Sequence, residues 1–553
     1  MNRLLSMRAL ALCLTCAVVP SLQARIYDTI NRSNFDPLPA TDVVASDADA
    51  ARFLTQATFG PTRAEITRLR SLGYSLWIDQ QLSAPPTLAR PFMDAVNTAL
   101  VAGGQTIGHN QRLDRWFYTA AYAPDQLRQR MAFALSQIFV ISDQNGTLSG
   151  EPIQVTEYWD MLARDAFINY RTLLGDVTYN PSMGKYLSHF RNRKAATGRE
   201  PDENYAREVM QLFSIGLIER NLNFSPLLNA GQPIATYDQN VITNYAKLFT
   251  GFNYSDATTI FNGTNTYLAM TCIATEHDVT LKTVLDGMTI AAGQTCAQDV
   301  SDGLNIITAH PNVAPFISRQ LIQRFVGSNP SANYIQRVAQ KFQNNGSGER
   351  GDLGAVIKAI LTDSEARGAP TATSGKLREP LLRLTAMWRA FDAQVPPTSA
   401  FGEIKMGLTN PTGTYGQRPL GAATVFNFYE PDYQQPGPIE NAQLYSPEMQ
   451  IINESTTFAI ANNLYNYSWN SYIGMTTPPT DRPLLDLTSL TSLATPTAMV
   501  DEANLRMMYG SMSSNMRTTM INMLTFMTGA STVEKARSLI YIVAISPEAA
   551  MQR

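Results

Sequence analysis

Charge is scarce in this chain: Asp, Glu, Lys and Arg make up 16% of its 553 residues, and the formal net charge is -3. Ordinary soluble domains carry roughly 25%. Such a balance supplies no basic field for a phosphate backbone, which argues against a nucleic-acid binder. Histidine is scarcer, with His109, His189, His277 and His310 alone. No two stand at the spacing of a helical zinc pair and HExxH is absent, so a zincin is not indicated. The chain also lacks a GxSxG elbow and a phosphate-binding loop. Its GxGxxG match, Gly346 to Gly351, follows the helical pattern "YIQRVAQKFQNN" rather than a strand, the wrong context for a dinucleotide. Gly346 is instead expected to end one helix and Asp352 to cap the next. Sustained period-two alternation is missing, which leaves few or no strands and a predominantly α fold, a large multi-helix array with long irregular loops.

Long apolar runs are missing too, except at the N-terminus. There Arg3 and Arg8 precede the run Ala9 to Leu22 and a small residue at Ala24. A basic start, a short apolar centre and a small residue read as a secretory signal peptide over 1–24, too short to span a bilayer. The expectation is export to the periplasm or the exterior. Of four cysteines, two fall within that segment, leaving Cys272 and Cys296. In an oxidising compartment they are a candidate disulfide, worth roughly 3 kcal/mol on the chain-entropy model. Two unrelated buried thiols are the alternative.

What is present is helical periodicity. Residues 25–46, rich in Pro, Asn and Asp, read as an extended lead-in, and 47–553 as a single large helical domain with a possible loop or linker at 476–496. Apolar spacing predicts helices from Asp47, over two short stretches between Pro61 and Leu82, and over Arg112–Ser142, Tyr158–Leu174, Asn204–Leu217 and Gln239–Phe249. It predicts others over Val313–Val326, Tyr334–Gln343, Leu353–Leu361 and Leu377–Phe391. Long loops are expected at 189–202, 253–299 and 406–445, and the last is dense in Pro, Gly, Asn and aromatics. Near the C-terminus Met508, Met512, Met516, Met520, Met523 and Met527 form a ladder that reads as one helical stripe, suited to core packing or, less commonly, to copper(I).

The stretch "PDENYAREVMQLFSIGL", 201–217, concentrates the candidate chemistry. Asn204, Arg207, Glu208 and Gln211 fall on one helical face, with Ala206, Val209, Met210 and Phe213 opposite and Asp202 placed to cap. Glu203 and Arg207 stand four apart with the acid first, the favourable order. The polar face reads either as a solvated surface or as part of a site completed by His277 and His310.

The blocks "AARFLTQATFGPTRAEI", "LRQRMAFALSQIFVIS", "ENYAREVMQLFSIGL", "HPNVAPFISRQLIQRFVGSNPS", "LREPLLRL" and "RSLIYIVAISPEAAMQR" occur in the order found in a bacterial family catalogued as domain of unknown function 1800, which the chain closely resembles from about Asp47 to Arg553. The resemblance implies an exported, mainly helical protein without an assigned reaction. It also implies a companion in the same compartment from the sulfatase-like domain of unknown function 1501. The family's polar types match Glu203, Asn204, Arg207, Glu208, His277 and His310, while Gln211 stands where a second acid is frequent, which weakens a metal site there. Two functions follow. One is an accessory protein that binds a partner through the aromatic loops of 406–445. The other is a hydrolase acting on an envelope or extracellular polymer, with Glu208 as general acid or base, Arg207 orienting an anion and a histidine assisting. Neither reading names a cofactor.

Overall fold

Most stretches with helical periodicity form helix, within bounds set by proline, glycine and capping side chains. The computed structural model describes residues 42–553, so the signal-peptide reading of 1–24 and most of the 25–46 lead-in lie outside the described residues. Ser46 and Thr62 cap Asp47–Ala57 and Arg63–Leu72, and Gly73, at φ 78°, separates the latter from Tyr74–Ser83. The pattern over 112–142 splits into His109–Tyr122 and Gln126–Ser136, because Pro124 has no N–H to continue the ladder. That over 158–174 divides into Pro152–Arg164 and Tyr170–Tyr179, with the Asn169 side chain opening the second. Gln239–Leu248, Val313–Phe325, Ala332–Gln343, Leu353–Thr362 and Pro380–Ala390 lie close to their expected spans. Asp352 caps Leu353–Thr362 by accepting from Ala355 N at 2.9 Å. The earlier helix ends at Gln343, before Gly346.

About half of the residues are helical, and the strands among the described residues are four two-stranded antiparallel ribbons, each strand two residues long. One of them joins Lys376–Leu377 to Met551–Gln552, and Gln552 Nε2 also donates to the Phe325 and Val326 carbonyls at 2.7 and 3.0 Å. The helices share a continuous apolar core that runs from Val44 to Ala549 and contains Trp77, Trp388 and Phe117. Close approach of two segments is decided at Gly60. At φ 135° it lies so near the helix Pro380–Ala390 that a Cβ would overlap Ala386 Cα, while Arg389 Nε donates to its carbonyl at 2.7 Å. Gly60→Ala is expected to destabilise the chain by about 1–3 kcal/mol, read as a lower midpoint in urea, because an L side chain is strained at that φ and has no space.

Three sequence expectations change. The Met508–Met527 ladder is not one helix: Met508 ends Pro496–Met508, Tyr509 turns left-handed at φ 45°, and a second helix, Ser514–Phe526, carries Met516, Met520 and Met523. Met508, Met512, Met516 and Met520 are all buried, so packing accounts for the ladder. The stretch 476–496 is only in part a surface loop, since Leu485, Leu487 and Leu490 enter the core. The strap 406–445 is anchored rather than free: Met406, Tyr415, Leu420 and Tyr429 are buried, while most of its other residues, 436–445 above all, stay exposed or half-buried. Tyr429 Oη donates to Gln137 Oε1 at 3.0 Å, and Gln417 and Gln137 both donate to Glu379 Oε2, at 2.6 and 2.7 Å.

Beside that strap lies a buried ionic cluster. Arg130, Arg324, Lys376, Glu379 and Glu448 are each exposed by 2% or less. Lys376 Nζ pairs with Glu448 Oε1 at 2.7 Å, lies 3.9 Å from Glu379, and donates to the carbonyls of Gln323 and Arg324. Arg130 Nη2 donates to Arg324 O at 2.6 Å, and the Arg324 guanidinium covers the Tyr429 ring at 4.6 Å.

Candidate functional site

Glu203, not the expected Asp202, is the N-cap of the helix Asn204–Gln211, and its side chain caps no amide; Asp202, one residue earlier, accepts from Asn204 N at 2.8 Å and is itself held by Asn192, whose Oδ1 accepts from Asp202 N at 2.8 Å. Tyr205, Ala206, Val209 and Met210 fill its inner face with no exposure. The helix stops at Gln211, short of the expected Leu217, as the Ile215 and Gly216 amides fold back onto Met210 O and Gly216 takes φ 73°. On the outer side Glu203 gathers a small network: its Oε2 accepts from Gln239 Nε2 at 2.8 Å and Arg207 Nη2 at 3.4 Å, and its Oε1 from Thr243 Oγ1 at 2.8 Å. Arg207 and Glu203 keep 41% and 32% of their side-chain surface, so this pair adds a few tenths of a kcal/mol. Asn204 is exposed.

Glu208 lies elsewhere on the same helix. It is buried, its Oε2 has no hydrogen-bond partner, and burial raises its pKa against the opposing pull of Arg207. Its charge reaches two tyrosines. The Tyr186 hydroxyl is pushed up to about 12 by burial and then by Glu208, and the Tyr237 hydroxyl, without a partner, is raised for the same reasons.

The two histidines occupy separate settings. Buried His277 places Nε2 3.0 Å from Asp299 Oδ2, which also receives Lys282 Nζ at 2.7 Å, and Nδ1 3.0 Å from the Thr250 carbonyl. Cys272 and Cys296 pair as a disulfide beside it, their Cα atoms 6.3 Å apart and each Sγ 3.7 Å from that same carbonyl. Among the described residues these cysteines and His277 are the group with metal-ligand proximity, but pairing of the sulfurs uses two of the three ligands. His310 accepts from Asn312 N at Nδ1, 3.1 Å, and sets Nε2 3.4 Å from Glu219 Oε1. Asn312 in turn donates to the Ile215 and Ile218 carbonyls that follow the Asn204–Gln211 helix. Within the described residues no hydrogen bond or ion pair joins Glu208 to either histidine or to Glu203. The candidate residues are thus distributed over a half-exposed network, an isolated buried carboxyl and two histidine braces.

A polar cleft of about 600 Å³ lies away from all of these, lined by Thr106, His109, Asn110, Asp143, Gln144 and Arg418 among others. In the sequence His109 is one of four histidines, with no motif around it. Its neighbour Arg112, which donates to Nδ1 at 3.1 Å, lies three residues on, at helical spacing, but Asp143, 3.5 Å away, and Arg418, which lines the same cleft, are too distant along the chain for any spacing rule to connect. The remaining histidine, His189, is buried against the Tyr205 ring at 4.0 Å, and burial lowers its pKa to about 4, so it serves packing.

Fold and site together define a large helical protein whose polar centres are braced by ion pairs and a disulfide. The chain belongs to the family described as Protein of unknown function (DUF1800), whose model matches residues 52–551. No curated protein and no solved structure matches the chain.

Proposed function

We propose that this is an exported accessory protein that binds a partner macromolecule in the periplasm or outside the cell, through the segment 217–288. The observation that carries the reading is the distribution of apolar surface. Among the described residues, half of the large apolar side chains that stand exposed fall in 217–288, including Leu217, Leu228, Phe261, Leu268 and Leu281, each more than half exposed. Exposed apolar side chains gathered on one segment are a common mark of an interaction site. The disulfide and the Lys282–Asp299–His277 brace hold part of that segment, which reduces the entropy lost on binding. The strap 406–445, anchored at its buried aromatics, contributes Phe426 and Tyr445 as its exposed ones. The first partner to test is the sulfatase-like companion that the family resemblance implies. The mature chain and that companion, mixed as purified proteins, should form a complex in sedimentation. Leu228→Asp with Phe261→Asp and Leu281→Asp should weaken it about tenfold or more at unchanged Tm. Failure to associate, or indifference to the triple change, would overturn the reading.

A second reading, a hydrolase acting on an envelope or extracellular polymer, is favoured by one feature: Glu208 is a buried carboxyl with a free oxygen and a raised pKa, as a general acid requires. The raised value also has a stability consequence with a definite sign. Its contribution is fully present below the unfolded pKa, near 4.3, and is lost as pH rises through the folded pKa. Glu208→Gln, neutral at every pH, is therefore expected to raise Tm relative to wild type more at pH 7.5 than at pH 4. Retained hydrolysis of an identified polymer by this variant would remove the catalytic role.

A further inference from the structure

The cleft beside His109 has a floor in which charge is unequally matched. Asp143 is fully buried, and its Oδ2 receives both Arg112 Nη2 and Arg418 Nη2, while its Oδ1 accepts from Gln144 Nε2 at 3.0 Å. One carboxylate against two guanidinium groups leaves one positive charge. His109 does not alter that count. Arg112 Nε donates into its Nδ1 at 3.1 Å, its Nε2 meets the Leu148 carbonyl at 3.2 Å, and burial followed by the Arg112 charge lowers its pKa to about 4.

The two arginines differ in what remains free. Arg112 is committed at Nε to His109, at Nη1 to the Pro419 carbonyl (3.1 Å), and at Nη2 to Asp143. Arg418 donates only through Nη2, and its Nε is buried without a partner. The uncompensated charge therefore sits on the guanidinium that lines the cleft and has donors to spare. Around it Thr106, Asn110, Gln144 and Ser149 bring hydroxyls and amides and Asp143 is the carboxylate of the lining, while the Gln111 amide is held by Glu403 Oε1 behind the wall and by Gly108 N. A guanidinium with free N–H groups matches a planar or tetrahedral oxyanion, and a rim of neutral donors and acceptors matches hydroxyl groups.

We propose that this cleft binds a singly charged, hydroxyl-bearing oxyanion, of the class of sugar carboxylates or sugar sulfates, with Arg418 as the anchor for the charged group. The site is independent of the partner-binding segment, and either assignment can fail without the other.

The test is calorimetric titration of the mature full-length chain with D-glucuronate, D-glucose 6-sulfate and D-glucose. Saturable binding of at least one of the two acids is expected, about tenfold or more tighter than glucose, as for a charge-assisted contact. Comparison of the two acids decides between carboxylate and sulfate. Arg418→Gln should lose most of the acid's affinity and leave that for glucose unchanged, with Arg418→Lys recovering part. Equal affinity for acid and neutral sugar, or binding of neither acid below on the order of 10 mM, would overturn the proposal. So would an Arg418→Gln variant that binds as wild type does. Should that variant misfold by circular dichroism, the wild-type comparison of acid with neutral sugar decides alone.

Discussion

Glu448→Gln is expected to destabilise the protein by about 3–5 kcal/mol, as found when one partner is removed from a buried ion pair. Glu448 is fully buried, pairs with Lys376 Nζ at 2.7 Å and accepts from Ser328 Oγ at 3.4 Å. Without its charge, Lys376, Arg130 and Arg324 share Glu379 alone. Lys376 already has a lowered pKa, because burial outweighs the pull of Glu448 and Glu379. The double variant Glu448→Gln with Lys376→Met should recover much of the loss, since it removes the stranded cation together with its partner. Urea unfolding followed by tryptophan fluorescence reads both. A single-variant loss below about 1 kcal/mol would mean that Lys376 sheds its proton or that water reaches the cluster.

The second large effect concerns the bridge between Cys272 and Cys296. Replacing both by serine is expected to cost about 3 kcal/mol, the chain-entropy value for a loop of this length. The loss should be concentrated in 250–299, where hydrogen exchange would rise first, because Asp299 and Lys282 brace that segment by charge while the disulfide alone closes it covalently. Alkylation of the unreduced, denatured protein should leave both cysteines unlabelled, and quantitative labelling would show two free thiols.

Local signals were readable in the sequence and non-local ones were not. Asp352 and the Glu203–Arg207 pair act within four residues and fell where spacing put them, whereas the cap position expected at Asp202 falls one residue on, at Glu203. The helices named from periodicity are present, but Arg90–Ala102, Cys296–Ala309, Glu454–Trp469 and Thr532–Ile545 are helices it did not name, and periodicity cannot register a turn that preserves its phase, such as Tyr509 to Ser513 inside the methionine ladder. The strap 406–445 has the composition of a surface loop. Its buried anchors Tyr429, Gln417 and Tyr415 depend on Gln137, Glu379 and Asn463, partners that local pattern cannot supply. The same holds for Arg418 and Asp143, 275 residues apart. Glu208 shares a helical face with Asn204, yet one is buried and the other exposed. The difference comes from what packs over each end of the face, which helical angle does not contain.

The ribbon between Lys376 and Gln552 also sets an order of events. In a chain delivered amino end first, residue 376 waits for most of the second half to emerge before its strand partner exists. The Lys376 ammonium and its acidic neighbours must meanwhile stay hydrated or be shielded by a holding factor. Vectorial folding would therefore leave this neighbourhood open until the closing residues arrive, and arrested chains that stop before residue 551 should expose it to proteases while the earlier helices are already protected.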